Sequence, residues 1–162
     1  MRIPELVELV EGADVFKVWK GQHAQAFLAH AFSMGGMLQL GYYDPEAEKA
    51  TSFFWENESV VCSEAMEVLK DPASHVQPLR VELVMLTPQD AMDHALQFQK
   101  KEYAGEVVFK SFFVLQTLDV GQVFNITFVT HSMKTINIKL SSDTGEIVQH
   151  HIDSLMNFGE AQ

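Results

Sequence analysis

Thr87-Pro88-Gln89-Asp90-Ala91-Met92-Asp93-His94-Ala95-Leu96-Gln97-Phe98-Gln99-Lys100-Lys101 is the stretch whose reading decides the fold class. Thr87 is a good N-cap, Pro88 fits the first helical position, and Asp90 complements the positive end of the helix dipole. Ala91, Ala95, Leu96 and Phe98 supply an apolar side, joined by Met92. Lys100 and Lys101 fall in the last turns, where positive charge is favoured. The pattern predicts a helix to about Tyr103, stopped by Gly105. Four β-rich segments follow, over 107–118, 123–130, 135–140 and 146–152. Asp119-Val120-Gly121-Gln122 and Ser142-Asp143-Thr144-Gly145 read as turns, because glycine supplies positive φ. Ile136, Ile138 and Leu140 alternate with Asn137, Lys139 and Ser141, which puts one face on a core and the other toward water. The class is α+β: an antiparallel sheet with one or two packed helices.

The upstream half has a similar order. Pro4 to Glu11 reads as a short helix with Leu6, Leu9 and Val10 on one face and Gly12 at its end. An extended piece is expected over 15–19. Residues 25–32 are taken as a strand, although their alanines and the seven-residue spacing of His23 and His30 also suit a helix. Gly35-Gly36 marks a turn, 37–43 a strand, 44–49 a polar connection, 50–55 a strand and 59–62 another. Residues 64–69 read as helical and 80–86 as extended. The resulting organisation is an N-terminal α+β half (1–70), a linker (71–79), a C-terminal α+β half (80–155) and a tail (156–162). Laying 37–62 on 123–148 at a shift of 86 puts Met37 on Val123, Leu40 on Ile126, Phe53 on Lys139 and Cys62 on Val148. The Phe53 match is poor. An internal duplication of a helix plus β-meander unit competes with the loose alignment any two α+β hairpin segments would give.

Composition narrows the function. Of 162 residues 47% are hydrophobic, with 12 Phe, 2 Trp and 3 Tyr, enough for a real core. Twenty-two acidic residues oppose 11 basic ones, for a net charge of -11. Phosphate-lined partners would be repelled, so neither nucleic acid nor an anionic membrane is expected as a partner. Cys62 stands alone and reads as a packed thiol. The N-terminus lacks a leader's basic and apolar regions and no 18-residue apolar run occurs, so a cytoplasmic location is expected.

The chemistry-bearing residues are sparse. His131, His150 and His151 are the serious metal question, but two histidines without a placed carboxylate fall short of a zinc site, and no metal or cofactor is expected. His94 follows Asp90 by one helical turn, without a visible nucleophile. Glu56 and Glu58 read as a solvated rim. No catalytic residue is therefore assigned. The aromatics are more suggestive. Tyr42-Tyr43, Phe53-Phe54-Trp55 and Phe112-Phe113 place large rings on both faces of predicted strands. One face must be core; the other must be covered by a helix, a second sheet or a partner. Tyr42, Tyr43, Phe54, Trp55, Phe112 and Phe113 are the candidate ligand or partner surface. The expected function is noncatalytic protein interaction or regulation through this aromatic sheet surface, as a homodimer or with another protein. The alternatives are a small-ligand binding protein with an apolar pocket, and a small hydrolase or isomerase using His94 or His131 with a carboxylate.

The second half also resembles the PepSY-like domains, over at most residues 80–155. The resemblance rests on Thr87-Pro88-Gln89-Asp90-Ala91 and Asp143-Thr144-Gly145-Glu146-Ile147-Val148. It implies a small α+β module, usually extracytoplasmic, that binds or inhibits associated proteases without catalysis. It carries over no site residue.

Overall fold

A computed structural model describes residues 1–67 and 75–156, with the backbone alone for Met66 and Glu67. Helices α1 (Ile3–Gly12) and α2 (Asp14–Gln22) are followed by strands β1 (Phe27–Met34), β2 (Met37–Asp44), β3 (Lys49–Glu56), β4 (Ser59–Cys62) and β5 (Met66–Glu67). A 3-10 turn (Val81–Leu83) then leads to α3 (Pro88–Glu102), β6 (Val108–Leu118), β7 (Gly121–Thr130), β8 (Lys134–Ser141) and β9 (Ile147–Ser154). The protein is α+β, with one antiparallel sheet in the order β4-β3-β2-β1-β6-β7-β8-β9 and β5 also paired to β3.

Local chemistry accounts for most of these elements. The Thr87 hydroxyl accepts from the Asp90 N–H at 3.0 Å, capping α3 as its sequence requires. Arg2 N donates to the Glu5 carboxylate at 3.2 Å and closes the first turn of α1. Gly35 and Gly36 both take positive φ, 65° and 83°, in the two-residue connection that lets β1 and β2 form a tight hairpin.

Three expectations are corrected. Residues 15–19 lie in α2 and are not extended, because Phe16 and Trp19 bury onto Tyr42 and Phe53. The piece at 80–86 contains the 3-10 turn. In place of the helical turn expected over 64–69, Met66 and Glu67 pair with Ala50 and Lys49; residues 68–69 lie outside the described residues. So do 71–74 of the expected linker and the tail beyond Met156. Leu79, at the linker's far end, is buried in the core and its N–H donates to Leu28 O at 2.8 Å.

The halves meet where β1 pairs antiparallel with β6. Leu40 faces Phe53 across β2–β3, and Ile126 faces Ile138 in the same way across β7–β8. With Leu40 laid on Ile126, a shift of 86, these pairings put Phe53 on Ile138, a shift of 85. The cause is the connection: residues 45–48 join the first pair of strands, and the shorter 131–133 joins the second. An internal duplication would therefore put Phe53 on Ile138, not on Lys139.

The three described helices lie on one face of the sheet. Ala31, Leu40, Phe53, Leu115, Phe124 and Leu140 form a buried band beneath them.

Candidate functional site

Because strand side chains alternate, the residues between the buried ones fall on the opposite face. One row of register partners crosses that face: Val61, Phe54, Gln39, Phe32, Val114, Asn125, Lys139 and Gln149. None of Val61, Phe54, Phe32 and Val114 packs against the core cluster, and each is half-buried by its neighbours. No described helix covers the row. Its first part is apolar and aromatic, and its second part is polar.

The polar part is ordered by its own hydrogen bonds. Lys139 Nζ donates to Asn137 Oδ1 at 2.7 Å, and Asn137 Nδ2 donates to Asn125 Oδ1 at 2.6 Å and to Thr127 Oγ1 at 3.3 Å. Asn137 is thereby held with its oxygen toward the ammonium. Partial burial lowers the Lys139 pKa from its ordinary value.

In the next row, His30 faces Gly41 on one side and Gln116 on the other. Its ring packs beside Phe32, with centroids 5.7 Å apart. Burial pushes its pKa down, so the imidazole is neutral at pH 7.

The six predicted surface aromatics separate. Phe54 and Phe112 lie on the open face and stay half-exposed. Tyr43 is on that face too but is buried, with Phe27 against its ring. Tyr42 and Phe113 are core residues and are withdrawn as surface: Tyr42 sits under Phe16 and donates to Glu11 Oε1 at 3.1 Å, and Phe113 packs edge-on against Phe124. Trp55 points to the helical side, where with Leu6, Leu38, Met37, Met92 and Phe113 it borders a groove of about 1010 Å³ between the N-terminal ends of α1 and α3. Adjacent rings in a strand must face opposite ways, but nothing in such a pair says which ring meets the helices. Phe32, Val114, Asn125 and His30 were missed as surface residues; in β6 to β8 the alternation of apolar and polar residues was the available signal.

The histidines are scattered. His150 points under α3, bonded to Tyr103 Oη at 2.7 Å and packed on Phe98, while His151 points to the open face beside Asp153 at 3.2 Å. His131 packs on Phe109, and His94 lies against Gly145. Among the described residues the closest His–carboxylate pair is His23 Nδ1 with Asp44 Oδ2, at 2.8 Å, a pairing not expected from the sequence. That hydrogen bond, more than any other contact, holds the Asp44 carboxyl below its usual range. Among the described residues no group of three or more His, Cys, Asp or Glu side chains could hold a metal ion. Burial pushes the Cys62 thiol pKa up, away from a reactive thiolate.

No family model and no curated protein matches the chain. In fold it is similar to the crystal structure of a "putative lipoprotein" from Clostridium difficile 630, with a TM-score of 0.57 and 15% sequence identity over 86% of this chain and 91% of that one. At that identity the likeness shows the fold alone. The cytoplasmic location expected from the amino-acid sequence is overturned by this match, whose protein carries the description of a lipoprotein, and is not carried further. Among the described residues no helix is long and apolar enough to cross a membrane.

Proposed function

We propose that this chain is a noncatalytic protein-interaction module that docks its partner on the open face of its sheet. One observation carries the reading: Phe54, Phe32, Val114 and Phe112 lie on the face that no described helix covers. Burying such side chains against a partner contributes roughly 25 cal/mol for each Å² of apolar surface removed from water. The face is broad and continuous across strands, which suits a protein better than a small molecule, since small ligands favour enclosed clefts. The PepSY-like resemblance supports the same class of function. The hydrolase alternative has less support, because neither His94 nor His131 is hydrogen-bonded to a carboxylate among the described residues.

Self-association is the first form to test. Light scattering over a hundredfold concentration range, on the protein and on a Phe32→Asp/Phe112→Asp variant, reads it directly. A mass near twice 18.3 kDa that the variant loses supports a homodimer through this face. A dimer that the variant retains places self-association elsewhere. A monomer throughout removes the homodimer and leaves a different protein as the partner.

The groove beside Trp55 favours a second reading, a small apolar ligand. Three methionines, Met1, Met37 and Met92, give it an adaptable lining. Saturable quenching of Trp55 fluorescence by a fatty acid, lost in Trp55→Phe, would support it; no change on titration would remove it.

A further inference from the structure

The chain is strongly acidic, yet the open face is not. Strands β2, β1, β6, β7 and β8 put no carboxylate on it, while β6 and β8 put Lys110 and Lys139 there. Among the described residues, the acids its strands put on this face lie toward its outer edges: Glu56 on β3 and Asp153 on β9, the latter paired with His151. The ion pairs among the described residues are His23–Asp44, Arg80–Glu82, Lys134–Glu106 and His151–Asp153; Lys139 is in none of them. A lysine free to reach solvent would gain more from hydration than from an amide. Here it is partly desolvated and held by Asn137, whose orientation is in turn held by Asn125 and Thr127. The ammonium keeps donors to spare, because a lysine offers three.

We infer that the docked partner is an acidic, apolar peptide segment whose carboxylate pairs with Lys139 while a neighbouring aromatic or branched aliphatic side chain packs on Phe32 and Val114. The inference rests on the open face being the docking surface. Charge complementarity selects the occupant: a chain with a net charge of -11 repels acidic segments everywhere except over this lysine-bearing, carboxylate-free band. Geometry selects the spacing. Phe32 on β1 and Lys139 on β8 are three strand steps apart in one row, about 14 Å at the usual strand separation. An extended peptide laid across the strands covers that in about four residues. The recognised segment therefore carries Asp or Glu about four positions from Phe, Trp, Leu or Ile.

The test is selection of a displayed random dodecapeptide library on the immobilised full chain, followed by titration of the enriched peptide and its acid-to-amide version. The expected result is enrichment of an acid about four residues from a large apolar residue. Lys139→Met should weaken the selected peptide at least tenfold. The acid-to-amide peptide should lose a similar factor on the unaltered chain and little on the variant. Phe32→Asp should abolish binding. Matched circular dichroism spectra and melting curves show that the variants fold. Enriched peptides without an acid that still depend on Phe32 overturn the acidic partner and leave the docking face standing. Peptides indifferent to both Phe32 and Lys139, or no enrichment at all, overturn both.

Discussion

The imidazole of His30 occupies the space a side chain on Gly41 would need. A Cβ placed on Gly41 would lie 2.1 Å from His30 Nε2 and 2.3 Å from Cε1. The two residues are register partners on neighbouring strands, so the glycine is what allows the ring to lie flat across the sheet. Gly41 does not have positive φ, so its backbone tolerates alanine and the conflict is steric. Gly41→Ala should therefore destabilise the fold by about 1–3 kcal/mol, the usual range for overpacking. In a His30→Ala background the same change should cost little. A denaturation double-mutant cycle measures the coupling, and additive costs would remove the proposed contact.

His30 also sets a pH dependence. Its folded-state pKa lies below the unfolded value of 6.5, so between the two the unfolded chain binds more protons than the folded one. Stability contributed by neutral His30 is complete above pH 6.5 and falls as pH drops toward the folded pKa. Urea midpoints compared at pH 7.5 and pH 5 should show a loss that is smaller in His30→Phe. An equal loss in both proteins would contradict this.

Neighbouring aromatics should behave as opposites. Phe53 is fully buried against Phe16, Trp19 and Tyr42, so Phe53→Ala should cost about 3–5 kcal/mol. Phe54, half-exposed on the other face, should cost less than about half of that when truncated. Chemical denaturation of the two variants checks the assignment of the faces; similar losses would reverse it.

Thr87→Ala should remove the α3 cap and about 1 kcal/mol of stability, while Thr87→Ser should retain most of it. Thermal melts separate the two, and an unchanged alanine variant would show that the cap contributes nothing.

The α+β class was legible because capping, turn and alternation signals agreed at α3 and along β6 to β9. What was not legible depends on three-dimensional register. Under a single shift of 86, the one-residue difference between the 45–48 and 131–133 connections sets inward-facing Phe53 against outward-facing Lys139, a mismatch of facing that the sequence alone does not reveal. In α2, Phe16 is the one fully buried side chain, too little to impose a helical period on the sequence pattern. Alternation did place Lys139 away from the core. Its amide neighbours Asn125 and Asn137 come together only because β7 and β8 pair in this register.

The join between β1 and β6 brings together residues about eighty positions apart, whereas the other long strand pairs of the sheet follow one another closely along the chain. Hairpin closure within each half needs only short loops, but zipping the halves together must close a long one. That seam is therefore expected to close late and slowly. A chain caught before it closes presents the bare edge of the 11-residue β6, and β1 of another such chain could take the place of its own, making a domain-swapped pair the expected folding error of this architecture.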